Sequence, residues 1–398
     1  MEARNEPDRP VDLLHSVMNN KSIRLRRPSA SRSEIRNNVS TTHLRRHVKG
    51  RKSRKRDGLQ QGEDWRWKVP LVLLTITLFL YTVNPTESNI AYPFIFLSYK
   101  VEGSIDAFAR PEYGKGLRDI AFVALYTLIL FFAREFIMQQ LLRPLTVSLG
   151  ITSRSKQGRF NEQAYVAIYT GIMGPLGLYV TYHSPTWYFS TVGMYSGYPH
   201  KTHPAVTKFY YLLQAAFWVQ QALVMVFGLE TRRRDFKELV VHHIVTISLI
   251  ALSYRFHFTM MGVLIYVTHD ISDFFLATSK SLNYVDSHLQ GPYFTLCIII
   301  WVYLRHYINL KILFSILTEF RTIGPYILDW EAEQYKCEIS NVITFVLLAA
   351  LQALNLFWLY CLLRNAYRFV VLGVAKDDRE EDEDNGNDHQ ELVEGERQ

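Results

Sequence analysis

The sequence predicts an all-α, polytopic membrane protein with about eight transmembrane helices and a charged arm at each end. Three observations predict it. Residues 1–68 hold 18 Lys and Arg against 8 Asp and Glu, a net charge of +10, whereas residues 376–398 hold 3 against 11, a net of −8. The 307 residues between them are about 13% charged, well below the ~25% of a soluble domain. That middle part also contains repeated apolar runs near the ~20 residues a helix needs to cross ~30 Å of hydrocarbon. A soluble enzyme, a disordered regulator and a disulfide scaffold are excluded.

The basic arm carries RLRRPSASRS at 24–33 and KGRKSRKR at 49–56. Such runs suit nucleic acid or nuclear import, but a basic segment ahead of a membrane span holds that terminus in the cytosol and touches anionic lipid. No nucleic-acid partner is expected. Ser29 and Ser31 follow arginines and are weak kinase-site candidates. No hydrophobic run precedes residue 66, so the first one is expected to act as an uncleaved anchor. The chain then divides into a basic arm at 1–68, N-terminal spans with an interfacial segment at 69–157, a catalytic domain at 158–375 and an acidic tail at 376–398.

Eight apolar runs follow in order, near 66–83, 117–142, 160–182, 205–229, 239–256, 258–284, 292–318 and 341–373. The segment IAYPFIFLSY at 90–99 is too short to span and contains Pro93, so it reads as an interfacial piece. With a cytosolic N-terminus, the loops 143–159 and 230–238 are cytosolic and rich in Arg and Lys. The opposite loops hold few cations: Lys201 in 183–204, and Arg321 and Lys336 in 319–340. Arg364, Arg368 and Lys376 close the last span on the cytosolic side. The pattern predicts both termini in the cytosol. Tyr and Trp residues of 182–198 form an interfacial belt on the far side. Asn20 and Asn38 stand in glycosylation tripeptides, but on the cytosolic side they stay unmodified. Cys297, Cys337 and Cys361 offer neither a disulfide framework nor a CxxC metal pattern.

Ionisable residues inside spans are costly and each is a functional candidate. The densest group is His242, His243, His269, Asp270 and Asp273, on the fifth and sixth spans. A very short loop near 255–258 makes those spans antiparallel neighbours. Asp270 and Asp273 stand i,i+3 on one helix face, and Asp273 is roughly 16 Å from the cytosolic end of its helix. Three explanations compete: a structural His–Asp glue, a metal site, and acid–base or nucleophilic catalysis in which an Asp orients and charges a His. Five groups at one level exceed what glue requires. Metal-binding histidine boxes need more His than His257, His288 and His306 add, and adjacent His242 and His243 point ~100° apart. No metal is expected. Arg134, Glu135, Arg305, His306, Asn309 and Lys311 read first as interhelical pairs or span ends, with Arg305 and His306 candidates for lining the reaction chamber. Gln214, Gln220 and Gln221, with Trp218, read as glue between helices.

The stretch RRRDFKELVVHH…HDISDFFLATSKSLNY, from Arg232 to Tyr284, resembles the signature of ceramide synthases, the longevity-assurance branch of the TLC-domain family. The similarity runs over about 160–373, from RFNEQAYVAIYTG to FRTIGPYILDWEAEQYKC and the last span. The acidic KDDREEDED tail and the absent homeobox-like insert are similar to the fungal type. The resemblance implies a TLC-type helical barrel around a substrate tunnel in the endoplasmic reticulum. It implies transfer of a long or very-long acyl group from acyl-CoA to the amine of a sphingoid base, with no further cofactor. The family's functional residues map onto His242, His243, Asp270 and Asp273 as the catalytic set, with His269 beside them a candidate for binding substrate. A homodimer or a small accessory membrane subunit is the partner that the family implies.

CoA is expected at the cytosolic mouth, against Arg232, Arg233 and Arg234 and near Arg143. A chain of ~24–26 carbons is about as long as the ~30 Å membrane core, so its end is expected near the loop Thr322–Cys337. There Tyr326 and Trp330 are candidates for a tunnel floor. The alternatives to catalysis are a lipid-binding or translocation-assisting protein, which has no need of the HH…HDxSD set, and a transporter that uses the intramembrane His and Asp as a proton relay and moves substrate without forming an amide.

Overall fold

Each of the eight apolar runs forms a helix in the computed structural model, which describes residues 67–101, 111–230 and 233–372. Nearly all of the basic arm, the acidic tail and Arg232 lie outside the described residues. The helix α1 (Lys68–Val83) has 16 residues, ~24 Å at 1.5 Å per residue, just short of the hydrocarbon core. After the four-residue helix α2 (Tyr92–Ile95), with Pro93 in its first turn, come seven helices among the described residues that are long and apolar enough to span. These are α3 (Arg118–Ser148), α4 (Arg154–Tyr182), α6 (Ala205–Val226), α7 (Phe236–Arg255), α8 (Thr259–Tyr284), α9 (Gln290–Thr322) and α10 (Glu338–Leu372), with the short α5 (Thr191–Tyr195) between α4 and α6. The chain is therefore a multi-pass, all-α membrane protein.

The centre of the bundle is α8, and a glycine stripe explains how closely α4 reaches it. Gly171, Gly174 and Gly177 recur every third residue and face Phe274, Ile271 and Val267 of α8 in turn. A methyl group on Gly177 would stand 2.5 Å from the Tyr210 hydroxyl of α6 and 2.7 Å from Val267. Small residues thus let three helices converge, as membrane helices without a hydrophobic driving force between them require. Around α8 pack two apolar clusters, one shared with α4 and α6, the other with α7, α9 and α10.

At one end of the bundle, β3 (Ile327–Asp329) and β4 (Gln334–Lys336) pair antiparallel, with Ile327 opposite Lys336. The sequence reading treated 319–340 as a plain loop; the pairing makes it a hairpin seated over the start of α10. Near this hairpin end, β1 (Glu112–Tyr113) pairs with β2 (His203–Pro204). Lys208, fully buried, is satisfied there by Asp119 at 2.7 Å and by the carbonyls of Ser98 and Gly114. Towards the opposite end, Arg134 of α3 bonds Glu135 at 2.5 Å and Glu230 at 2.7 Å, the pairing expected of a span-interrupting charge.

Candidate active site

His242 and His243 sit in the second turn of α7, away from the hairpin, and His269, Asp270 and Asp273 sit midway along α8. The turn 256–258 folds the two helices back on each other, with His257 at φ +62°. A polar chamber opens between the helices, lined by His242, His243, Asp270, Asp273, Arg305 and Arg233. The structure therefore collects five of the predicted residues and one of the three loop arginines around one space. Arg234 is exposed and does not line it, and Arg232 is outside the described residues.

The carboxylates are held differently from the expected His–Asp pairing. Asp270 accepts from the Tyr210 hydroxyl at 3.1 Å and from the Gln214 amide, both on α6. Asp273 accepts from Arg305 at 2.5 Å. Arg305 also donates to Ser272 at 2.6 Å and to Asn355 at 3.2 Å, and lies 4.1 Å over the Trp301 ring. Its segment of α9, Val302–Ile308, is π-helical, a local widening often found at functional sites. Among the described residues neither carboxylate bonds a histidine ring. A buried arginine has five donors to satisfy, and it takes the nearer carboxylate.

Backbone carbonyls orient the histidines instead. His243 Nδ1 lies 2.8 Å from the Leu239 carbonyl, and His269 Nδ1 lies 2.8 Å from the Ile265 carbonyl. A carbonyl only accepts, so each ring carries its hydrogen on Nδ1 and leaves a lone pair on Nε2. His242 has no such bond, and its buried Nδ1 is unpartnered. Packing fixes its ring: Trp218 and Trp358 stand with ring centroids 5.3 and 5.1 Å away. Asp235, at the start of α7, accepts from the Trp358 indole nitrogen at 3.2 Å and from both ends of the Arg233 fork at 2.9 and 2.8 Å.

A second, apolar cavity runs from His242 and His269 along α7, α8 and α10 to Leu328, Trp330, Tyr335 and Cys337 at the hairpin. His242 and Trp218 line both cavities. From His242 to Arg255, α7 rises roughly 20 Å, a depth suited to a long hydrocarbon chain. Trp330 lines this space as expected. Tyr326 does not: its ring turns toward Phe320, and its hydroxyl donates to Glu338 at 2.7 Å. The hairpin is the reason, because Tyr335 of β4 takes the inward position, held by Arg255 at 3.2 Å.

Sequence reasoning named Trp218 and Gln214 only as glue. It gave Trp358, Asp235, Thr246 and Tyr210 no role. Gln214 in an apolar helix carried a signal, since a buried amide demands a partner. Trp358 carried none, because an indole among apolar neighbours looks like core.

Comparison with known proteins shows the family. The model of the TLC domain matches residues 159–364. The chain is 58% identical over 316 residues to the sphingosine N-acyltransferase-like protein FUM17 of Gibberella moniliformis, covering 79% of this chain and 81% of that one. It is 47% identical over 331 residues to the ceramide synthase LAG1 of Saccharomyces cerevisiae, covering 82% and 79%. It is 46% identical over 324 residues to the sphingosine N-acyltransferase lac1 of Schizosaccharomyces pombe, covering 81% and 83%.

Proposed function

Since the chain belongs to the TLC-domain family, in its sphingosine N-acyltransferase branch, we propose that it is a ceramide synthase that joins the acyl group of an acyl-CoA to the amine of a sphingoid base. The observation that carries this reading is the place of His242, in the wall common to the polar chamber and the apolar cavity. A thioester drawn into the chamber puts its carbonyl carbon beside that histidine and its acyl chain in the apolar cavity.

The amine nitrogen bonds to the thioester carbonyl carbon, the carbon–sulfur bond breaks, and the proton lost by nitrogen passes through an imidazole to the CoA sulfur. In one route a histidine takes the proton directly. In the other an imidazole first takes the acyl group and the amine then displaces it. His243 Nε2 holds a lone pair for the proton, and Arg305 with Asp273 keeps the chamber floor charge-balanced. No metal or other cofactor is needed for this chemistry.

CoA phosphates meet Arg233 at the chamber mouth, which faces the cytosol when both termini do, in the membrane of the endoplasmic reticulum. The acyl chain is long or very long, ending against Trp330 and Tyr335. The protein works as a homodimer or with a small membrane subunit. Purified protein, with any copurifying subunit retained, is incubated with a sphingoid base and acyl-CoAs of several lengths. Amide and free CoA in equal amounts support the reading; neither product at any chain length overturns it.

A further inference from the structure

The apolar cavity contains polar atoms that an acyl chain leaves unsatisfied. His269 is only 5% exposed, and its Nε2 lies buried in the cavity wall without a hydrogen-bond partner. Because Nδ1 donates to the Ile265 carbonyl at 2.8 Å, this Nε2 is an acceptor in the neutral ring. On the facing helix, the Thr246 hydroxyl oxygen is buried and unpartnered in the same wall, one turn from His242 toward the hairpin. Buried polar atoms without partners are rare and costly, and those that line a cavity mark where a ligand supplies the missing bond.

The chemistry of these two atoms identifies the ligand. An acceptor aimed into the cavity calls for a donor. The acyl chain has none, and the thioester carbonyl is itself an acceptor. Acyl-CoA carries its O–H and N–H donors on the CoA side of the thioester, the side of the polar chamber, whereas the sphingoid base carries hydroxyl donors on the two carbons that flank its amine, next to its own hydrocarbon chain. We propose that His269 Nε2 and the Thr246 hydroxyl form the seat for the hydroxyl-bearing head of the sphingoid base, where the chamber opens into the apolar cavity. The seat rests on the acyltransfer reading and deepens it. A hydroxyl beside the amine donates to His269 and meets Thr246, which sets the amine next to the acyl carbonyl at His242. The same contacts distinguish bases that differ in their hydroxyls, because a base lacking one leaves the seat unpaired.

The test compares dihydrosphingosine with its 1-deoxy and 3-keto analogues, each lacking one hydroxyl donor, against wild type, Thr246→Val, Thr246→Ser and His269→Phe. Valine keeps the shape of threonine and removes the hydroxyl; serine restores it. The expected result is a loss of about 3- to 10-fold in kcat/KM for dihydrosphingosine in Thr246→Val, with little change for the analogue that lacks the matching hydroxyl. Thr246→Ser recovers the discrimination, and His269→Phe flattens it. Equal losses with all three bases mean that the hydroxyl serves the acyl carbonyl, and this overturns the seat. Unchanged ratios in every variant overturn it as well. Quenching of tryptophan fluorescence by each base without acyl-CoA reads the same affinity ratios, so a wild type that binds bases but forms no amide rejects the acyltransfer reading and not the seat.

Discussion

The indole nitrogen of Trp358 donates to the Asp235 carboxylate at 3.2 Å, while the same ring meets the His242 imidazole edge-on with centroids 5.1 Å apart. The two residues are 123 positions apart in sequence. They turn a residue at the chamber mouth into a support for a histidine that makes no orienting hydrogen bond of its own. Trp358→Phe keeps most of the packing and loses the anchor. It is expected to lower kcat roughly 10- to 100-fold with KM for acyl-CoA little changed. Asp235→Leu should behave alike, and Asp235→Asn, which still accepts from the indole, should recover most of the rate. Steady-state kinetics over a range of acyl-CoA concentrations checks this; a rise in KM alone would show that Asp235 acts on CoA rather than on His242.

His242→Ala and His243→Ala are each expected to reduce turnover by at least about 100-fold while leaving the protein folded and membrane-inserted. Product formation and size-exclusion profiles measure the two. Rapid quenching after mixing with acyl-CoA alone, followed by mass spectrometry, separates the routes. An acyl adduct on a histidine identifies the covalent one, and its absence the general-base one.

Arg305 ties α9 to α8 and α10 through Asp273, Ser272 and Asn355. Arg305→Gln leaves Asp273 without its counter-charge and should cost about 3–5 kcal/mol of stability. Asp273→Asn keeps a carbonyl acceptor for the guanidinium and should cost less. Thermal unfolding in detergent ranks the two, and an Asp273→Asn variant less stable than Arg305→Gln would contradict the ranking.

The hairpin closes the apolar cavity, so its floor should set product length. Thr344→Phe, on the α10 wall near the hairpin, shortens the space and should shift products from a mixed acyl-CoA pool toward shorter chains. Trp330→Ala should shift them longer, as should exchange of 322–337 for the equivalent segment of a longer-chain relative. Lipid mass spectrometry reads the distribution. Unchanged lengths at retained activity would place the chain elsewhere.

Lys115 titrates near neutrality at the hairpin end. Its ammonium lies 3.3 Å from His257 Nδ1 and 3.3 Å from the Thr259 hydroxyl, and burial, followed by the Lys208 charge, lowers its pKa from 10.5 to about 7. Between those two values the unfolded chain holds a proton that the folded chain has released, so folding stability rises with pH through this window. The penalty is full below pH 7 and fades as pH rises towards 10.5. Lys115→Met should therefore flatten the rise in unfolding temperature between roughly pH 7 and 9. An identical slope in both proteins would show that other groups carry it.

The long apolar helices, the short non-spanning segment at Pro93 and the two motif halves on neighbouring antiparallel helices were legible because they are local. Hydropathy, helix rise and a short turn specify them within a few dozen residues. The partners of Asp270 and Asp273 were not legible, since Gln214 lies 56 positions from one and Arg305 lies 32 from the other. Tyr326 and Tyr335 are equally aromatic in sequence, and only the β3–β4 register puts Tyr335 inward.

The sequence by itself determined that this chain spans a membrane many times and that its histidines and carboxylates share one level of α7 and α8. Repeating apolar length and the spacing of HH and HDxSD suffice for that. Tertiary structure alone decided what each polar group bonds to and where the cavities run. A polar group drawn out of bulk water is costly unless it is bonded, so Asp273 turns to Arg305 and His243 and His269 turn to backbone carbonyls, while His242 is left to two indoles. Which partner comes within reach depends on how closely the helices approach. That approach is set by side-chain volumes far apart in sequence, such as the glycines of α4 that admit Tyr210 to Asp270.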